Sequence, residues 1–140
     1  MTSRKIARDY LEKVEVRLEA LRLYLDRSRY DDVVREAQEA VELLVKGALR
    51  FVGLDPPRRH DAAPVLLQHL DRFPPAWRAE AAAIAEVSEQ LFAERGHAFY
   101  GDESDLVPPS ELFERAEAEE AIRAVERLLA LYRDLLQTGP

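Results

Sequence analysis

The sequence predicts an all-α fold: an antiparallel, up-and-down bundle of four long helices with one additional short helix. Apolar residues recur at spacings of three and four, and no segment alternates with the period of two that a strand requires. Most of the eight prolines and five glycines fall in three clusters, at residues 53–64, 74–75 and 96–109, so the stretches between them are free to form helices. The 140 residues have the size of one domain, which we expect to span residues 1–140.

The composition excludes several classes of function. The chain has no cysteine, which excludes disulfides, zinc–thiolate sites and cysteine nucleophiles and fits a reducing compartment. The first residues are charged, and no apolar run approaches the ~18 residues of a membrane span, so we expect a cytoplasmic protein with no membrane partner. The net charge of −7 disfavours nonspecific attraction to nucleic acid.

The first two helices are predicted from their apolar stripes. The first helix, at about residues 4–26, has its stripe at Leu11, Val14, Leu18, Leu21 and Leu25. Ser28 and Asp31 then resemble a capping box and predict the start of the second helix. The second helix, at about residues 30–52, should be the most buried, with apolar positions at Val34, Ala37, Val41, Leu44, Ala48 and Phe51, and further ones at Val33, Ala40, Val45 and Leu49. Gly53 follows at the position of a left-handed cap.

The remaining helices are bounded by caps and prolines. Asp61 can cap a short third helix with Pro64 in its first turn, and this helix ends before the prolines at 74–75. A fourth, alanine-rich helix spans about residues 76–94 and has anchors at Trp77, Ile84, Leu91 and Phe92. Ser110 is predicted to cap the fifth helix, which carries apolar residues at Phe113, Ala116, Ile122, Val125, Leu129, Tyr132 and Leu136.

The second helix and the segment after it carry an ordered set of residues that resembles a known family. The set reads Tyr30-x-x-x-Val34-x-x-Ala37-Gln38-x-Ala40-x-Glu42-x-x-x-Lys46-x-Ala48, followed by Gly53, Pro57, His60-Asp61 and Leu66-Leu67. It is similar to the signature of the HEPN family (higher eukaryotes and prokaryotes nucleotide-binding domain), in which A-Q-x-A-x-E and a following K-x-A on a helix lead to a glycine turn and a P-x-x-H segment. The resemblance is close over residues 30–70, and the helix order agrees over nearly the whole chain.

Two groups in this set have more than one interpretation. Glu42 and Lys46 have the spacing and order of a favourable helical ion pair, which is a surface pair in the simplest interpretation. In the alternative they join Gln38 in a half-buried polar stripe that orients neighbouring groups. Likewise, His60 with the following aspartate is most simply a turn and helix cap. Alternatively, His60 helps Arg58 and Arg59 to bind an anion near the start of the third helix.

Residues 95–103 form the most unusual stretch, with one arginine, one histidine, two aromatic residues and two acids in nine positions. We expect a polar loop here, between two long helices, and such loops on rigid scaffolds often carry function. It resembles the arginine–tyrosine region before the last helix of HEPN proteins. In the simpler interpretation, Phe99 and Tyr100 plug the end of the bundle.

No complete catalytic motif is present. Ribonucleases of the HEPN family carry R-x(4–6)-H, in which histidine moves protons and arginine stabilises the charge of the transition state. Here the candidates Arg95 and His97 are only two residues apart, so no catalytic residue is assigned with confidence and the chain is expected not to be an enzyme. Glu94 and His97 have the spacing of a di-iron ligand pair, but no second such pair exists, so we expect no metal and no cofactor.

The resemblance implies a homodimeric, non-catalytic HEPN protein that pairs with a minimal (MNT-type) nucleotidyltransferase in a toxin–antitoxin-like system, with a nucleotide or RNA as a candidate ligand. In related pairs the partner nucleotidylates a tyrosine near the motif, and here the resemblance points to Tyr100. The candidate nucleotide- or partner-binding residues are Gln38, Glu42, Lys46, Arg58, His60, Arg95, Tyr100 and Asp102. One alternative is a dimeric, metal-independent ribonuclease in which Arg95 and His97 of two subunits combine. The other is a helical dimer that serves only as a scaffold.

Overall fold

The computed structural model describes residues 2–58 and 61–138. The helices are α1 (Thr2–Asp26), α2 (Tyr30–Phe51), α3 (Ala63–Gln68), α4 (Pro75–Tyr100) and α5 (Arg115–Thr138), with short 3-10 turns at Leu70–Arg72 and Pro109–Glu111. These two ranges of residues contain no strand, so the predicted all-α class with one additional short helix is confirmed. None of the helices in this part of the chain is long and apolar enough to cross a membrane.

The long helices follow one another up and down. Arg4, near the start of α1, lies over the ring of Phe51 at the end of α2, 5.3 Å from the ring centroid. Trp77, at the start of α4, donates its indole N–H to the carbonyl oxygen of Leu131 near the end of α5, at 3.1 Å. Both contacts join the start of one helix to the end of another, as the predicted antiparallel bundle requires.

Helix α2 is the centre of the bundle. It packs against α1, α4 and α5, whereas α4 and α5 meet each other only sparsely. The prediction that α2 is the most buried helix is confirmed, because its apolar residues extend around most of its circumference. Its buried residues are Asp31, Val33, Val34, Ala37, Gln38, Ala40, Val41, Leu44, Val45, Gly47, Ala48, Leu49 and Phe51.

The chain leaves α1 and α2 through the same left-handed turn. Ser28 has φ 59° and Gly53 has φ 90°, and in each turn the next residue donates its N–H back into the preceding helix. The left-handed cap predicted at Gly53 is therefore confirmed. The capping box predicted from Ser28 and Asp31 is wrong, because no side chain caps α2 and the carboxylate of Asp31 instead accepts a hydrogen bond from Arg29 at 2.8 Å.

Helix α4 extends to Tyr100, six residues beyond its predicted end, so the polar loop expected at residues 95–103 is mostly helix. A single glycine, Gly96, did not stop the helix. The helix ends at Gly101, whose φ of 78° favours glycine and whose Cβ, if present, would collide with the carbonyl oxygen of Val107. Phe92, which we expected to be an anchor in the core, is 38 % exposed.

Helix α5 begins at Arg115 and not after Ser110, so the predicted cap is also wrong. Ser110 lies in the 3-10 turn that precedes the helix. The side chain of Glu117 reaches back and accepts a hydrogen bond from the N–H of Glu114 at 3.0 Å, which satisfies one of the free donors at the helix start. Ala116, predicted to face the core, is exposed.

Candidate functional site

A polar stripe runs along α2 inside the bundle. Gln38 is 3 % exposed, and its side-chain amide donates to Glu42 at 3.2 Å. The ammonium group of Lys46 donates to the other carboxylate oxygen of Glu42 at 3.3 Å. The side chains of Glu42 and Lys46 are only 19 % and 18 % exposed. The carboxylate therefore joins an amide and an ammonium group in a half-buried position, and the interpretation as an ordinary surface ion pair does not fit.

The stripe continues toward the end of α4. Arg35 is three residues before Gln38 and thus lies on the same side of α2. Its guanidinium group lies over the ring of Phe99, 4.3 Å from the centroid, which is a close cation–π contact. This contact joins the start of α2 to the end of α4, so these two helices are antiparallel as well.

Aromatic and cationic side chains of α4 adjoin this contact. Phe92, Arg95 and Phe99 are three and four residues apart and share one side of the helix. The guanidinium group of Arg95 lies over the ring of Phe92 at 5.8 Å. We call this set the α2–α4 seam; it consists of Arg35, Gln38, Glu42 and Lys46 on α2 and Phe92, Arg95 and Phe99 on α4.

The segment before α3 is tied to α4 next to the seam. One carboxylate oxygen of Asp61 accepts a hydrogen bond from the N–H of Ala63 at 3.2 Å and another from the hydroxyl of Ser88 at 3.1 Å. Ser88 is buried on α4, one turn before Phe92. The residue at the cap position of α3 is Ala62, and no side chain caps this helix, so the cap predicted at Asp61 is wrong; Asp61 instead ties the segment before α3 to α4. Arg58 is exposed, and Arg59 and His60 lie outside the described residues.

Arg95 and His97 do not converge within one chain. Because both lie on α4 and are two residues apart, their side chains leave the helix in nearly opposite directions. Arg95 is half-buried in the seam, whereas His97 is exposed. Tyr100 is 64 % exposed, and its ring makes an edge contact with Phe99 at 4.7 Å between centroids. Arg95 thus lies over Phe92 of its own helix, whereas the side chains of His97 and Tyr100 are exposed.

Asp102 holds a turn. One of its carboxylate oxygens accepts hydrogen bonds from the N–H groups of Ser104 and Asp105, each at 3.1 Å. Its backbone also exchanges two hydrogen bonds of 2.9 Å with Val107. Asp102 therefore stabilises the turn that follows α4 and is not part of the α2–α4 seam.

Sequence reasoning missed Arg35 and Ser88. Arg35 could have been found by extending the polar stripe of Gln38, Glu42 and Lys46 one turn toward the start of the helix. Ser88 had no such signal, because its partner comes from a distant segment. Within the described residues, no three histidine, aspartate or glutamate side chains come together in an arrangement that could hold a metal ion.

Fold and site define an all-helical bundle protein whose second and fourth helices enclose a polar and aromatic seam. The sequence model of the HEPN domain family matches residues 7–135, nearly the whole chain, and the protein belongs to this family. The resemblance inferred from the second helix and the following segment is thereby confirmed. Comparison with curated proteins and with solved structures returned no significant match.

Proposed function

We propose that this chain is a homodimeric, non-catalytic HEPN protein that pairs with a minimal nucleotidyltransferase in a toxin–antitoxin-like system and binds a nucleotide at the α2–α4 seam. The observation that carries the proposal is the seam itself. A buried amide and a half-buried carboxylate and ammonium group lie in one row, and at its end a guanidinium group lies over an aromatic ring. Cations bind phosphate groups, and aromatic and guanidinium planes stack on bases.

The arrangement of α4 supports a non-catalytic role. Cleavage of RNA by an arginine and a histidine requires both groups at one phosphate. Arg95 is directed into the seam and His97 away from it, so a single subunit cannot place both at the same phosphate.

Tyr100 is the residue that we propose as the target of the partner enzyme. Its side chain is 64 % exposed at the end of a rigid helix, so the active site of another protein can reach its hydroxyl. In the proposed step this hydroxyl attacks the α-phosphate of a nucleoside triphosphate, a phosphodiester to tyrosine forms, and pyrophosphate leaves. The partner supplies the nucleotide and the catalysis.

Co-expression with a minimal nucleotidyltransferase, if the neighbouring gene encodes one, tests the pairing. We expect the two proteins to co-purify and the mass of the chain to increase by one or more nucleotidyl groups on Tyr100. The variant Tyr100→Phe should lose the added mass, whereas the control Tyr24→Phe should keep it. Absence of a complex, together with an unmodified Tyr100, would contradict the proposed pairing.

Nucleotide binding is tested by thermal unfolding with ATP and with other nucleotides. A ligand that binds only the folded chain raises the melting temperature, by an amount that grows with its concentration. We expect this rise in the native chain and its loss in Lys46→Gln. The control Arg133→Gln breaks an exposed ion pair between α5 and α1 and should retain the rise. If nucleotide raises the melting temperature of both variants equally, the nucleotide does not bind at the α2–α4 seam.

A dimeric, metal-independent ribonuclease is the second candidate, and the exposure of His97 favours it. An outward histidine can meet Arg95 of another subunit, which would restore the pair across a dimer. Incubation of the pure protein with RNA separates the two functions. Cleavage that disappears in His97→Ala would establish the ribonuclease, and intact RNA supports the non-catalytic role.

A further inference from the structure

Helices α4 and α5 leave a shallow groove between them, with α2 as its floor. Both helices pack against α2, but they meet each other only sparsely. The buried side chains of Val34 and Val41 on α2 therefore lie at the bottom of the gap. The gap contains two open depressions, which hold about 40 and about 50 Å³. We call this surface the α4–α5 groove.

The two depressions repeat at a spacing of seven residues. On α4 the first is lined by Glu80, Ala83, Ile84 and Val87, and the second by Val87, Gln90, Leu91 and Glu94. Each residue of the second set lies seven positions after its counterpart in the first. The lining residues of α5 repeat in the same way in the opposite direction. Seven residues are two helical turns, or about 10 Å, which is the spacing at which side chains of one helix enter holes between other helices.

The size of the depressions fits side chains and not a small molecule. Pockets for small molecules hold about 300–1,000 Å³, several times the volume of either depression. The depressions are open because two of the residues that line them, Ala83 and Ala124, have small side chains. A helix that lies along the groove would insert one apolar side chain into each depression, and these two side chains would be seven residues apart in its sequence.

The charges at the rim determine the sign of the occupant. Glu94, Glu117 and Glu120 border the second depression, whereas one acid and one base, Glu80 and Arg127, border the first. Within the described residues, none of the three carboxylates at the second depression forms an ion pair, so they attract a cationic partner. The ion pairs of α5 are formed by Arg115, Glu119, Glu126 and Arg133.

We propose that the α4–α5 groove binds an amphipathic helix of another protein. This helix has two apolar residues seven positions apart, and lysine or arginine residues beside the one that enters the second depression. From Glu80 to Glu94 the groove is about 21 Å long, so roughly 14 residues of helix fill it. Phe92, Phe99 and Tyr100 line neither depression, so the bound helix leaves the α2–α4 seam and Tyr100 accessible. The inference therefore does not rest on the proposed function.

A second copy of this chain fits the groove poorly. A two-fold axis would place groove against groove, so that no projecting side chain fills a depression and the excess of glutamate over arginine is doubled. Helix α1 does expose two apolar residues seven positions apart, Val16 and Leu23. However, Glu19 lies between them on the same side of α1 and would face the acidic rim. The acidic rim also disfavours nucleic acid.

Binding of synthetic peptides to the full chain tests the spacing and the charge. The probe is an alanine-based helix of about 18 residues with two leucines seven positions apart and three lysines beside one of them. One control peptide has the same composition with the leucines five positions apart, which places them on different sides of the helix. The other has glutamate in place of lysine. We expect fluorescence anisotropy to show micromolar binding of the probe and about tenfold weaker binding, or none, of either control.

Matched variants of the chain locate the binding. Ala83→Gln places a longer, uncharged side chain in the first depression and should weaken binding of the probe about tenfold. Ala82→Gln changes an exposed alanine that lines neither depression and should leave it unchanged. Glu120→Gln should weaken binding and reduce its dependence on salt, whereas the exposed control Glu89→Gln should do neither.

Several results would overturn the inference. They are no binding of the probe at millimolar concentration, equal affinity for the two leucine spacings, and equal effects of Ala83→Gln and Ala82→Gln. Sedimentation equilibrium examines the second copy: self-association that is lost in both Ala83→Gln and Val16→Ser would make α1 of another copy the occupant. Failure of this inference leaves the proposed function intact, because nucleotide binding and modification of Tyr100 are measured separately.

Discussion

The two sides of α2 differ in what they pack against. Toward α1 and α5 the contact around Gly47 is close: Gly47 lies against Tyr132, whose buried hydroxyl donates to the carbonyl oxygen of Ala7. Toward α4 the helix presents the polar row that begins at Arg35 and contains Glu42. One side thus gains stability from exact filling of space. The other keeps polar groups half-buried, which is costly unless each is paired, and such sites often have a function.

Tyr132 is a buried titratable group on the close-packed side of α2. Removal from water disfavours the charged phenolate and raises the pKa of Tyr132 well above its usual range. The phenol therefore stays protonated at every physiological pH and remains a hydrogen-bond donor to Ala7. On this side of α2, the hydroxyl of Tyr132 thus helps to hold α5 against α1.

The largest effect is expected for Gly47→Ala, on the close-packed side. The added methyl group collides with the hydroxyl of Tyr132 and must displace α5 or break its bond to Ala7. Overpacking of this kind destabilises by about 1–3 kcal/mol, measured as the free energy of unfolding in urea. Gly96→Ala is the matched control, because the open position should gain up to about 1 kcal/mol. Equal effects of the two substitutions would show that Gly47 is not held in close contact with Tyr132.

The next effect is expected for Glu42→Ala, on the seam side. It removes the acceptor for the buried amide of Gln38 and the counter-charge of the half-buried Lys46. The expected loss is about 1–2 kcal/mol in the free energy of unfolding. The control Glu15→Ala breaks an exposed ion pair with Arg133 and should cost below about 0.5 kcal/mol. If Glu42→Ala lowers the free energy of unfolding no more than Glu15→Ala does, the seam contributes no more to stability than an exposed ion pair.

A smaller effect is expected for Arg35→Ala, at the end of the seam. The substitution removes the cation–π contact with Phe99, which is worth about 0.5–1 kcal/mol at a partly exposed site. Urea unfolding of Arg35→Ala, of Phe99→Ala and of the double variant gives the interaction energy by a double-mutant cycle. An interaction energy near zero would show that Arg35 does not fasten α2 to α4.

The smallest effect concerns pH and Glu36, near the start of α2. Burial, followed by the neighbouring carboxylate of Glu39, raises the pKa of Glu36, although Arg17 pairs with it at 3.0 Å. A raised pKa means that this group's contribution to stability is complete at acid pH and is lost as the pH rises through the folded-state value. Glu36→Gln should therefore be slightly more stable than the native chain at neutral pH, by below about 0.5 kcal/mol. This gain in stability should vanish at acid pH. If it persists there, the raised pKa of Glu36 is not its cause.

The start and end of the helices were the least predictable part of the fold. Ser110 and the capping-box pattern at Ser28 gave plausible local signals for helix caps. In the structure, Glu117 accepts the hydrogen bond at the start of α5, and a left-handed turn at Ser28 precedes α2. Gly96 had the appearance of a helix end, but α4 continues to Gly101. Local patterns offer several termini of similar energy, and contacts with the rest of the bundle select among them.

The site was predictable to the extent that it lies on one helix. Gln38, Glu42 and Lys46 are four residues apart, and helical geometry alone places them on one side. The contribution of α4 was not predictable, because the pairing of Arg35 with Phe99 depends on how two helices are aligned along each other. The same holds for the bond between Asp61 and Ser88, which are 27 residues apart.

The sequence alone determined the helical class, the dominance of α2 and the family of this protein, because apolar spacing and the order of a few residues are local properties of the chain. Only the tertiary structure decided that Arg95 is directed into a seam while His97 is directed away, and that Gly96 lies open between exposed rings. Directions and neighbours of side chains depend on where helices end and how they are aligned, and those are settled by packing across the whole bundle.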